Sequence, residues 1–203
     1  GSISIYDSNV SFKGCTFDQN KSEDFLNLIN SKYKISDSYF KSVQSDAVDS
    51  DYSNGRIINI TFNDIGGDGL DLSGSKVKVD TFHSIDVKDK AISAGENSIL
   101  YVQNFYADNV GVAIASKDGS STSAENCEIG NVKLVPFMTY IKKNNYDAPR
   151  LNLKGCSMSK SVKDAAQIYF RQKGTLLTSD GHENIVEQDL DVDLLYQTEV
   201  MKK

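Results

Sequence analysis

The 203 residues contain no tryptophan, two prolines, two histidines and three cysteines. Without tryptophan, the commonest flat platform for a sugar ring is missing, and any stacking surface falls to the tyrosines. His83 and His182 have no serine, cysteine or second histidine at useful spacing, which argues against a nucleophilic triad. An odd cysteine count leaves at least one thiol unpaired within a monomer, and no Cys-x-x-Cys or Cys/His spacing suggests zinc. Cys15, Cys127 and Cys156 each stand two residues before an apolar residue (Phe17, Ile129, Met158), a strand-interior position that suits core thiols.

Cations are outnumbered as well, 22 lysines and arginines against 28 acids, for a net charge of −6. Nucleic acid as main partner is therefore not expected, because phosphate binding needs a cationic footprint. No run approaches the ~20 apolar residues of a membrane span, and the N-terminus has neither the basic nor the apolar region of a signal peptide. Gly1-Ser2 reads as an appended dipeptide, so a native leader is compatible with the sequence. What remains, 39% hydrophobic and 25% charged residues, is ordinary for a soluble folded domain.

A repeat organises the chain. EDFLNLINSK, SDAVDSDYSN, GDGLDLSGSK, DKAISAGENS, GVAIASKDGS and VPFMTYIKKN align one above another. Their apolar anchors Leu26, Val48, Leu70, Ile92, Ile114 and Met138 are spaced by 22, 22, 22, 22 and 24 residues. A second apolar column, Phe17, Phe40, Phe62, Phe82, Phe105, Ile129 and Met158, keeps nearly the same pace. Each period holds two or three short runs rich in Val, Ile, Thr, Tyr and Phe, broken by Gly, Asn, Asp and Ser, with no helical periodicity. The period is wrong for propeller blades, and the leucine-rich-repeat signature is absent. The expected fold is an all-β, right-handed parallel β-helix of about seven rungs over residues 1–174, each rung ~4.8 Å above the last. Residues 175–203, with an Asp-Gly turn at Asp180, are expected to form a hairpin and cap packed on the last rung. No comparable cap precedes the first rung, so the rest of a longer chain or another subunit is expected to cover it.

Registering the repeats stacks carboxylates. Two residues before the anchors the column reads Asp24, Asp46, Asp68, Lys90, Val112, Pro136; one residue after, it reads Asn27, Asp49, Asp71, Ser93, Ala115, Thr139. Charges ~5 Å apart repel by roughly 1 kcal/mol in water and by more at a protein surface. A cation, a lysine or a shared proton is needed to relieve them. One reading is a Ca²⁺ site with Asp49 and Asp71 as ligands, bridging to an acidic glycan, with Lys90 or Lys117 as base if its pKa is lowered. Another is a carboxylate pair for glycoside hydrolysis, with Asp68, Asp71 and Lys90 as catalytic candidates. A third is a turn structure in which aspartates bond backbone N–H groups and Lys90 pairs with Asp68 or Asp89.

Two neighbouring features point toward binding. Phe25, Ala47, Gly69, Ala91, Ala113 and Phe137, one before each anchor, would form a shallow outward strip if alternation holds. TYIKKNNY places Tyr140, Lys142, Lys143 and Tyr146 near one end of the same face. The glycines of GGDGLDLSG lack the Lys-Ser/Thr of a phosphate loop and are read as turn residues.

The succession SDAVDSDYSNGRI, IGGDGLDLSGSKV, DKAISAGENS, ASKDGSS and YIKKNNYDAP resembles a bacterial group of right-handed parallel β-helix domains, pectate-lyase-like in fold, found at the C-terminal end of larger surface proteins, some with spore-coat-kinase-like domains. The resemblance implies a secreted or cell-surface setting and a polysaccharide ligand. The Asn-Thr-Asp and Gly-His-Gly pair of polygalacturonases, the Asp-Pro-His of mannuronan epimerases and an arginine-centred lyase motif are all missing. The resulting expectation is a polysaccharide-recognition module whose face comprises Asp46, Asp49, Asp51, Asp68, Asp71, Lys90 and Lys117, with Tyr140, Lys142 and Lys143 beside it. A lyase or hydrolase using that face, and an inert structural spacer, are the alternatives.

Overall fold

The computed structural model describes residues 1–159, 162, 168–180 and 185–201. The chain winds as a parallel β-solenoid of about eight turns, one more than the repeat suggested. Among the described residues every strand pairing is parallel, and each joins a strand to its counterpart one turn away.

Three faces run along the coil. The first carries Asp24–Ile29, Asp46–Asp51, Leu70–Ser73 and the ends of Lys76–Gly95 and Ile99–Lys117. The second carries Asn9–Lys13 and the starts of Lys32–Val43, Asn54–Ile65, Lys76–Gly95 and Ile99–Lys117. The third carries Thr16–Asn20 and the middle of the same long strands.

The corners explain the polar turn residues. Asp37, Asn59, Asn104 and Asn126 turn the second face into the third with φ between 51° and 56°. Asn and Asp tolerate this left-handed region best among side-chain-bearing residues. Asn59 Nδ2 donates to Asp37 Oδ1 at 2.9 Å, so the corner is tied between turns.

At the corner between the first and second faces, a serine follows the left-handed residue on each turn: Ser31, Ser53, Ser75, Ser98 and Ser120, all buried. Each hydroxyl accepts the backbone N–H of the serine one turn below, at 2.9–3.2 Å. Ser75 Oγ also donates to Ser50 O at 2.7 Å. Backbone groups that no ladder partner reaches are thereby satisfied inside the coil.

The core is one apolar column stack. Leu26, Val48, Leu70, Ile92 and Ile114 lie in register, as the repeat predicts. Ile114 then pairs with Phe137, not Met138. The register shifts between Val110 and Val112, and the expected last step is one residue too long. The aromatic column also steps: Phe62 pairs with Ser84, and Phe82 with Ile60, yet the two rings lie 5.0 Å apart. Positions two apart on a strand both face inward, so the ring moves to the neighbouring inward position and the stack continues.

Two expectations about the surface are corrected. The strip of small residues is inside: Ala47, Ala91, Ala113 and Phe137 are fully buried in the core. Alternation breaks at the corner entering the first face, where the residue before the anchor and the anchor itself are both buried. The phenylalanine stack then leaves room only for small side chains. The thiols are corrected too: Cys127 and Cys156 are in-register neighbours joined as a disulfide, and Cys15 is free.

Beyond Gly174 the coil continues. Leu176–Ser179 runs parallel to Arg150–Lys154, and Glu187–Gln188 parallel to Tyr169–Gln172, each extending the solenoid. Gly181 and His182 of the expected turn lie outside the described residues. The last segment, with a short helix Val192–Leu195 capped by Asp191, packs sideways. Leu195 and Met201 cover Val112, Ala115, Val135, Met138 and Tyr140 on the outside of the first face. An apolar patch on a solenoid side wall is thus buried by the chain's own end.

Candidate functional site

The outer side of the first face carries the acidic columns. Asp46 and Asp68 sit at the corner where strands enter this face, and both are buried. Asp46 Oδ1 accepts the N–H of Asp68 at 2.7 Å, and Asp68 Oδ1 accepts the N–H of Lys90 at 2.9 Å. A carboxylate on one turn thus holds the backbone of the next.

Gly67 makes this possible. A Cβ there would lie 2.1 Å from Asp46 Oδ1. Gly66, Gly67 and Gly69 of the glycine-rich stretch therefore serve close approach between turns, while Gly74, with φ 63°, serves the turn that the sequence reading expected.

Lys90 ends the column. Its ammonium is buried, 3.2 Å from Asp68 Oδ1 and 2.7 Å from Asp89 Oδ2. Burial works against the charge, but Asp68 and Asp89 outweigh it and hold the lysine above its ordinary pKa. Lys117 stands 3.7 Å from Asp71 Oδ1, and its pKa is likewise raised, with Asp71 the leading favourable charge. Neither lysine is lowered as a general base requires. They act as fixed counter-charges.

Asp49 lies in register under Asp71, and Asp51 under Ser73. Burial, then the charges of Asp51, Asp71, Asp24 and Asp46, push Asp49 up to about 8. Burial and Asp71 raise Asp51 as well. Asp89 is pushed up to about 7, by burial first and then by Asp68. Burial thus favours the protonated carboxyl of Asp49, beside Asp71 and its lysine.

Asp46, Asp68 and Asp71 each offer a carboxylate oxygen within 4.8 Å of the others. The set has the hard oxygen chemistry of a Ca²⁺ site. Lys90 already stands against Asp68, however, so a metal would have to displace or tolerate an ammonium.

The remaining candidates frame one end of the face. Tyr140 is fully buried under the C-terminal segment, its hydroxyl 2.7 Å from that of Tyr196. Its ring is not on the surface. Tyr196 takes that place, with the Lys142 ammonium 4.1 Å from its ring centroid. Lys143 pairs with Glu96, which also accepts from the Tyr146 hydroxyl at 3.4 Å. Asp118 Oδ1 fixes this loop by accepting the N–H groups of Lys142 and Lys143 at 2.6 and 2.8 Å.

The structure thus brings Asp46, Asp49, Asp51, Asp68, Asp71, Lys90 and Lys117 onto one face, with Lys142 and Lys143 at its edge. Sequence reading omitted Tyr196, because nothing in the repeat indicates where a non-repeating tail docks. Asp89 was visible only as a neighbour of Lys90.

Compared with protein-family models and with curated proteins, the chain matches none.

Proposed function

We propose that the acidic face is a polysaccharide-recognition surface. Supporting this is one arrangement above the rest: Asp49, half-buried and with its carboxyl pushed up to about 8, lies in register beneath Asp71, whose counter-charge is Lys117. A face offering carboxyl donors, carboxylate acceptors and ammonium groups over adjacent turns matches the alternating donors and acceptors of sugar hydroxyls. The favoured ligand is a neutral glycan lying along the coil, with Tyr196 and Lys142 at one end. The Cys127–Cys156 disulfide fits an oxidising, extracytoplasmic setting, in line with the resemblance to pectate-lyase-like β-helix domains of surface proteins.

A second reading rests on the convergence of Asp46, Asp68 and Asp71. In it, Ca²⁺ held there bridges to an acidic glycan. A glycosidase reading uses the same face, with Asp49 as proton donor, since a carboxylic acid that keeps its proton at neutral pH is what such a reaction requires.

One experiment separates these. A panel of neutral and acidic polysaccharides is titrated with and without Ca²⁺, and the mixtures are assayed for new reducing ends and unsaturated products. Binding of neutral chains without Ca²⁺ or products supports recognition. Binding only with Ca²⁺ supports the metal bridge, and products lost in Asp49→Asn support catalysis. Silence across the panel refutes all three and leaves a structural spacer.

A further inference from the structure

The second face is the electrostatic opposite of the first. Lys34, Arg56 and Lys78 lie in register on three consecutive turns, and Lys32 and Lys76 flank them in the next outward column. All five are exposed. Among the described residues none of them forms an ion pair. Asp80, beside Arg56 and Lys78, accepts from Asn104 at 3.0 Å, and Glu125 accepts from the Tyr101 hydroxyl at 2.9 Å.

A protein of net charge −6 has concentrated five cations on one wall. Turns repeat every ~4.8 Å, so the like charges repel one another. The repeat does not demand it, because the same columns carry Ser11 and Asn54 on other turns. A shallow, open groove of about 760 Å³ runs along this wall across five turns, with the cations along its length and Tyr101 toward one end.

We infer that this groove binds a linear anionic polysaccharide running parallel to the coil axis, its carboxylate or sulfate groups paired with the column Lys34, Arg56 and Lys78. A linear polymer is favoured because the charges form columns along the axis within a shallow groove. The polymer is a glycan and not a nucleic acid because the rest of the molecule is negative, which opposes the broad phosphate contact nucleic acids need, a choice that fits the extracytoplasmic setting proposed above. The site is independent of the acidic face and holds its ligand with fixed charges and no metal.

The test uses the whole chain and its triple variant Lys34→Gln, Arg56→Gln, Lys78→Gln. Heparin and polygalacturonate are titrated in the presence of a chelator over a range of salt, beside dextran, single-stranded DNA and anionic phospholipid vesicles. The inference predicts binding of heparin or polygalacturonate that weakens with salt, roughly a tenfold or greater loss in the triple variant with unchanged melting temperature, and no such loss in Asp71→Asn. It is overturned if neither glycan binds, if the triple variant binds as well as the parent, or if DNA or vesicles bind more tightly than both glycans.

Discussion

The Lys90 ammonium lies 3.2 Å from Oδ1 of Asp68, both side chains buried on the outer side of the first face. Asp89 completes the group at 2.7 Å. Removing one member of a buried ion cluster leaves an uncompensated charge and costs about 3–5 kcal/mol. Lys90→Met is expected to lower the melting temperature sharply at pH 7. Asp89→Asn in the same chain should restore part of the loss, because one of the stranded carboxylates is then gone. Thermal denaturation of both variants checks this.

Asp49 predicts an unusual pH dependence. Its folded pKa, about 8, lies far above the ordinary carboxylate value. The folded state therefore holds a proton that the unfolded state releases above pH ~4. Its contribution is fully present below that pH and is lost as pH rises through about 8. Asp51 and Asp89, also raised, act in the same direction. Stability should fall between pH 5 and 8.5, roughly, and Asp49→Asn should flatten the fall, with a gain of a few degrees at the alkaline end. Melting curves across that range decide it.

Gly55 and Tyr33 form a pair across one turn. A Cβ at position 55 would stand 2.2 Å from the Tyr33 ring. Gly55→Ala is expected to cost about 1–3 kcal/mol by overpacking. In a Tyr33→Leu background the same change should cost much less. A double-mutant cycle by chemical denaturation measures the coupling.

Ser75 sits in the middle of the serine ladder, accepting from the Ser53 N–H and donating to Ser50 O. Ser75→Ala leaves the Ser53 N–H buried without its acceptor, at about 1–3 kcal/mol. The Ser53 amide should then lose hydrogen-exchange protection more than amides on the third face.

The coil was legible because its period is nearly constant and its anchors are large. Leu26 through Ile114 stack as the spacing requires. Reading failed where an inward position has a twin two residues away, as at Phe62 and Phe82, and where the bulge near Val112 shifts Met138 out of line. The acidic columns were equally legible, because a carboxylate on consecutive turns must stack. Their chemistry was not. Lys90 is held up by Asp68 and Asp89, and Lys117 by Asp71, against the pull of burial, whereas burial itself raises Asp49; the depth at which each group sits is not written in the repeat. The serine ladder was visible as a serine at positions 31, 53, 75, 98 and 120, but short polar residues at turns look alike until the backbone groups they serve are known.

The most direct test of the acidic face is equilibrium binding of neutral soluble polysaccharides to the parent chain and to Asp71→Asn, in chelator at pH 7. The account predicts that at least one glycan binds the parent and that the variant, still folded, loses roughly tenfold or more in affinity, about 1.4 kcal/mol. Equal affinity in the two proteins, or no binding to the parent, would contradict it.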